Sequence, residues 1–160
     1  MAVSIFKGRS VLLCGRPGAV NDVLCRTFKR AGLELLGEVA TPEDAYHTVL
    51  HRMPAIIVYD LQASCERGLA VARTIAAGAR IYQVLLTGYD PDKFVEQEEQ
   101  ILDATFVRKP TTSGELIAMM AEGYARFQGS PYCASTYALS SLIEAAKAWQ
   151  RPTGQTATLR

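Results

Sequence analysis

Five times within the first 130 residues, a short apolar run is followed by a longer stretch whose apolar residues recur at helical spacing. Strand-length runs and helical stripes that alternate this strictly imply βα units, and short connections between them imply a parallel sheet covered by helices on both faces. The runs fall at residues 11–14, 35–40, 55–60, 81–86 and 105–108. The third, Ala55-Ile56-Ile57-Val58-Tyr59-Asp60, is β-branched and nearly continuous, as a central strand buried on both faces should be. The first helix carries Val20, Val23, Leu24, Thr27, Phe28 and Ala31 on one face and stops at Gly32. Thr41-Pro42-Glu43-Asp44 reads as an N-cap, a first-turn proline and two first-turn acids, with Ala45, Val49 and Leu50 as the stripe behind them. A third helix is expected over residues 68–77. A fourth opens at Asp90-Pro91, with Phe94, Ile101 and Leu102 facing inward. A fifth follows the capping box Thr112-Ser113-Gly114-Glu115 and carries Leu116, Ile117, Met120, Tyr124 and Phe127.

These units fill residues 1–129, and residues 130–160 form an appendage. In the appendage Leu139, Leu142, Ile143, Ala146 and Trp149 lie at helical spacing, which predicts one amphipathic helix over residues 135–150 before a polar tail. A single amphipathic helix cannot bury its stripe alone, so it is expected to pack on its own domain or across a homodimer, with Trp149 as the anchor.

The net charge of +1 gives no broad electrostatic reason to expect nucleic acid or an anionic membrane as partner. No apolar run reaches membrane-spanning length, and MAVSIFKGRS lacks a signal-peptide core, so a cytoplasmic protein is expected. Cys14, Cys25, Cys65 and Cys133 form no C-x-x-C pair and read as free thiols. His47 and His51 share the second helix and are expected to be exposed; their i,i+4 spacing alone is a weak metal signal.

In an open parallel sheet, ligands bind outside the carboxyl ends of the strands. The residues collected there are Gly15 and Arg16 after the first strand, Asp60 after the third, Thr87 after the fourth and Lys109 after the fifth. A carboxylate, a hydroxyl and an ammonium thus share one rim. Singly each has an ordinary structural reading, as a turn residue, a loop hydroxyl or a surface charge paired with Asp60. Their placement on three strand ends points to a site.

With IIVYD ending in Asp60, VLLTG containing Thr87 and FVRKP containing Lys109, the chain resembles the receiver domain of bacterial two-component response regulators, of the single-domain chemotaxis type. The resemblance covers residues 8–128. It implies a flavodoxin-like sheet of order 2-1-3-4-5, Asp60 as phosphoacceptor, Thr87 as switch hydroxyl, Phe106 as switch aromatic, Lys109 as the phosphate's counter-charge, a cis bond between Lys109 and Pro110, and Gly68 as the glycine that opens the third helix. The implied partner is a histidine kinase or another signalling protein.

The sequence departs from that family where its members hold Mg²⁺. The acid pair after the first strand is replaced by Gly15 and Arg16, and Asp22, the next acid, lies inside the first helix. Magnesium sheds water reluctantly and relies on carboxylates or phosphate oxygens, so Asp60 alone makes a poor site and no metal or cofactor is expected. Arg16 is expected to stand in for the metal by pairing with Asp60 or by helping to bind a free anion; the alternative is that it points into solvent. LQASCERG after Asp60 also lacks the family's Met-Pro turn.

Three functions follow: a divergent receiver that accepts a phosphoryl group, a pseudo-receiver that docks partners without phosphorylation, or a flavin or nucleotide binder on the same fold. Gly15-Arg16-Pro17-Gly18 offers no hydroxyl for a phosphate loop, and Pro17 removes a backbone donor, which disfavours the third. No enzyme activity is expected.

Overall fold

The computed structural model describes residues 3–61, 66–87, 101, 104–109 and 111–129. In chain order the elements are α1 (Val3–Phe6), β1 (Ser10–Cys14), α2 (Ala19–Arg30), β2 (Glu34–Val39), α3 (Pro42–His51), β3 (Ile56–Asp60), α4 (Glu66–Gly78), β4 (Tyr82–Thr87), β5 (Thr105–Arg108) and α5 (Ser113–Gly129). All five expected strands form, within a residue of the predicted bounds. They pair in parallel in the order β2-β1-β3-β4-β5, the doubly wound arrangement. β3 is central and every residue of it is buried, which accounts for its unbroken apolar run. β2 is an edge strand and is only half buried; a register shift opposite Val11 and Leu12 places a bulge at Leu36.

Strand alternation sorts the core into two layers. Leu12, Cys14, Ile57, Tyr59 and Leu85 face α3 and α4. Val11, Leu13, Ile56, Val58, Val84 and Leu86 face α2 and α5. The helix boundaries follow local chemistry. Thr41 Oγ1 accepts from the Asp44 N–H at 3.1 Å, with Pro42 as the first helical residue. At α5 the capping box is reciprocal: the Glu115 N–H donates to Thr112 Oγ1 at 3.1 Å, and the Thr112 N–H to Glu115 Oε2 at 3.3 Å. α2 ends in a Schellman turn, with Gly32 at φ 92° and the Leu33 N–H bonded to the Phe28 carbonyl at 3.0 Å.

Two expectations need correction. The face that α2 buries is Asn21, Leu24, Thr27 and Phe28, while Val20 and Val23 are 58% and 45% exposed. They sit in the first turns of the helix, next to the exposed loop at residues 16–18. α4 starts at Glu66, so Gly68 is its third residue and does not open it. Gly68 instead lies under Leu61, where a Cβ would come within 2.4 Å of Leu61 Cδ2. α1 was not foreseen: four residues are too few to show a period, yet Phe6 is buried and stacks on Tyr124 at 5.9 Å. In α3 the stripe Ala45, Val49 and Leu50 packs on the core, joined by the buried Tyr46. The expected fourth helix at Asp90, the appendage at residues 130–160, Pro110, Cys65 and Cys133 lie outside the described residues. Among the described residues, no helix is long and apolar enough to cross a membrane.

Candidate functional site

The ladder continues one residue past the strand ends and fixes the rim. The Gly15 N–H bonds the Val39 carbonyl at 2.9 Å, the Leu61 N–H the Leu86 carbonyl at 2.9 Å, and the Lys109 N–H the Thr87 carbonyl at 2.8 Å. Asp60 pairs in register with Leu86, and Thr87 with Arg108, so Asp60, Thr87 and Lys109 stand at one edge of three adjacent strands.

Alternation divides these residues between the two faces of the sheet. Asp60 continues the Ile56–Val58 row, and Lys109 the row of Val107, toward α2 and α5. There the Lys109 ammonium donates to Asp60 Oδ1 in an ion pair. The Asp60 side chain is 4% exposed and that of Lys109 30%, so the carboxylate is buried and the ammonium reaches it from the surface. Thr87 continues the row of Leu85 on the opposite face and is buried. Phe106, level with Leu85, is half buried against the same layer.

Gly15 is pressed against Asp60. A Cβ there would lie 3.0 Å from Asp60 Cβ and 3.1 Å from Asn21 Oδ1, so any side chain would force its neighbours to move. Asn21, fully buried, donates Nδ2–H to the Gly15 carbonyl at 3.3 Å, while its Oδ1 has no partner. Arg16 is exposed and makes no ion pair with Asp60. The expectation that Arg16 would hold the carboxylate is therefore corrected: the cation on Asp60 is Lys109. A rigid ladder bond aims Lys109 at the carboxylate, whereas Arg16 follows a glycine in an exposed turn. Asp22 is exposed on α2, as its position in the helix implied.

Sequence reasoning missed the polar supports of the rim. Tyr59, next to Asp60, donates its hydroxyl to Gln83 Oε1 at 2.5 Å, and Gln83 Nε2 donates to the Ala72 carbonyl at 2.8 Å, tying β3 and β4 to α4. Arg67 grips Glu43 through Nε at 2.9 Å and Nη2 at 2.7 Å, which joins the first turns of α4 and α3. A glutamine inside an apolar strand signals such a network, because a buried amide must find partners. Cys14 faces that side, where burial first, and then the nearby Glu43, Asp44 and Asp60, push its thiol up to about 12. Burial likewise raises the Tyr59 phenol well above its ordinary value.

Solved structures share this fold. The signal receiver domain of a modulated diguanylate cyclase from Desulfovibrio desulfuricans is 16% identical over 75% of this chain and 96% of its own, with a TM-score of 0.64. A response regulator receiver protein from Sinorhizobium medicae is 18% identical over 74% and 96%, with a TM-score of 0.63. The anti-anti-sigma factor PhyR from Bartonella quintana, in a mutant form, is 16% identical over 81% of this chain and 53% of its own, with a TM-score of 0.66. The chain has the receiver fold. No protein-family model matches the sequence, and no curated protein does.

The receiver fold carries the expectation of Mg²⁺ at this rim, and the residues present do not fit it. The end of β1 offers no carboxylate, Asp60 Oδ1 is engaged by Lys109, and the space beside Asp60 is taken by the Gly15–Asn21 contact. Among the described residues, no three His, Cys, Asp or Glu side chains group closely enough to hold an ion.

Proposed function

We propose that this chain is a receiver-type module of two-component signalling that transmits by docking a histidine kinase or another signalling protein, without Mg²⁺-dependent phosphorylation of Asp60. The observation that carries this reading is the buried Asp60–Lys109 ion pair beside a first strand that ends in Gly15 and Arg16. In such a rim the ammonium already neutralises the carboxylate, and no second carboxylate competes for a cation. The pair ties β3 to β5, so the strand ends keep one arrangement without a ligand. The surface offered to a partner is then set by the fold.

A second reading has its own support. Asp60, Thr87 and Lys109 end three adjacent strands, with Phe106 two residues before Arg108 on the last, in the order the receiver family uses, and this supports a working phosphoacceptor. In that chemistry an Asp60 oxygen attacks the donor's phosphorus, the donor's leaving group departs with the bonding electron pair, and Lys109 stays as counter-charge to the new acyl phosphate.

Intact-mass measurement separates the two. The protein is incubated with acetyl phosphate or phosphoramidate, with and without Mg²⁺, beside Asp60→Asn. The docking reading expects no added phosphoryl mass under conditions that label an ordinary receiver. A Mg²⁺-dependent adduct that disappears in Asp60→Asn would overturn it in favour of the second reading.

A further inference from the structure

The chain holds two histidines, His47 and His51. Both lie on α3, one turn apart, both are exposed, and the rim around Asp60 uses neither. They line the same wall of an open groove of about 450 Å³ between α3 and the edge strand β2, together with Asp44 and Thr48. The floor is apolar, with Leu12 and Leu36, and the groove stays open at Gly37, where a Cβ would meet nothing within 4 Å. Among the described residues neither imidazole makes a hydrogen bond or an ion pair; His47 has only an edge-on ring contact with Tyr46 at 6.2 Å.

We propose that His47 and His51 form a binding site for a late first-row divalent ion such as Zn²⁺, with open positions left for water or an outside ligand. Side chains at i and i+4 on a helix leave their Cβ atoms about 5–6 Å apart. Two imidazoles starting from that separation can converge on one ion at the usual Zn–N distance of about 2.0–2.1 Å. Neutral imidazole suits this class of ion, whereas Mg²⁺ and Ca²⁺ want oxygen. Asp44, one turn before His47, supplies a negative charge on the same wall, and Thr48 has already turned its hydroxyl to the Asp44 carbonyl at 2.9 Å. Asp44 and His51 are two turns apart, too far to close on one ion together, in keeping with the absence of a three-residue ligand group among the described residues. The protein therefore contributes two ligands, and the site is open by construction. Arg52 also lines the groove; its charge opposes that of Asp44 and leaves the imidazoles to decide the affinity.

Because the chain has only these two imidazoles, a ring-nitrogen readout isolates the site from the four cysteines. The experiment uses untagged, reduced, ¹⁵N-labelled full-length protein, titrates ZnCl₂ and follows the imidazole ¹⁵N resonances. Both rings are expected to shift together and to saturate at one ion per chain. His47→Ala is expected to weaken binding by at least about tenfold, the lower bound for losing even an outer-shell partner, and to leave the His51 ring unshifted at concentrations that saturate the wild type. His47→Gln, which keeps side-chain bulk, should behave in the same way. Unshifted rings, rings that titrate independently, or zinc affinity unchanged in a His47→Ala/His51→Ala double variant would overturn the proposal; the last result would put the ion on the thiols.

Discussion

Lys109→Met keeps the length of the side chain and removes its ammonium, which leaves the Asp60 carboxylate, 4% exposed, without its cation. Removing one partner of a fully buried pair costs about 3–5 kcal/mol, whereas exposed pairs are worth roughly 0.2–1 kcal/mol. Lys109 is 30% exposed, so water screens the pair from one side and the cost should fall between these limits, at about 2 kcal/mol. For a chain of 160 residues, a loss of that size lowers the Tm by about 4–8 °C. Asp60→Asn removes the stranded charge, so adding it to Lys109→Met should recover part of the loss, with a coupling energy of about 1–2 kcal/mol in a double-mutant cycle. Urea unfolding followed by far-UV circular dichroism on the four proteins measures this directly. A Lys109→Met loss within about 0.5 kcal/mol of wild type, or strictly additive single effects, would show that the ion pair does not hold the rim together.

Arg16→Asp replaces an exposed cation beside the rim with a carboxylate, and calorimetry should then detect tighter Mg²⁺ binding than in the wild type; a variant that folds and binds no better would show that the missing carboxylate is not what keeps Mg²⁺ out. Gly123→Ala drives a Cβ to within 2.1 Å of Thr105 Oγ1 and 2.2 Å of the Tyr82 hydroxyl, two groups that hydrogen-bond each other under α5. It should cost about 1–3 kcal/mol in urea unfolding, whereas Gly114→Ala, with nothing within 4 Å, should be neutral or slightly stabilising. In alkali the sign follows from the raised Cys14 thiol and Tyr82 phenol, both pushed up to about 12 by burial. The folded chain keeps these protons after the unfolded chain has lost them, so stability should fall as pH rises from about 9 toward 12, by at most about 1.4 kcal/mol per pH unit for each group. A flat profile between about pH 9 and 11 would contradict the burial of both.

The fold was legible because each local signal agrees with the global one. The β-branched run ending in Asp60 reads as a central strand, and Thr41-Pro42 and the Thr112–Glu115 box mark helix starts that form as written. What escaped was set by contacts remote in sequence. Val20 and Val23 continue an apolar stripe but stand in the first turns of α2, where burial goes instead to Asn21, which is held by the Gly15 carbonyl. The members of the rim were readable from the strand ends, but not their pairing. Arg16 and Lys109 are both cations at the same edge, and only the ladder bond from the Lys109 N–H to the Thr87 carbonyl selects the second. The Tyr59–Gln83–Ala72 network crosses two strands and a helix; Gln83 inside an apolar strand signals that partners exist, but not which they are.

In the proposed rim Asp60 belongs to Lys109 and not to a metal. The most direct test of this is a Mg²⁺ titration of the ¹⁵N-labelled wild-type protein, read at the backbone amides of Gly15, Leu61, Thr87 and Lys109. No saturable shift is expected at these amides beyond what matched ionic strength produces. Saturating shifts centred on Gly15 and Leu61, lost in Asp60→Asn, would contradict that pairing and return the rim to metal-dependent chemistry.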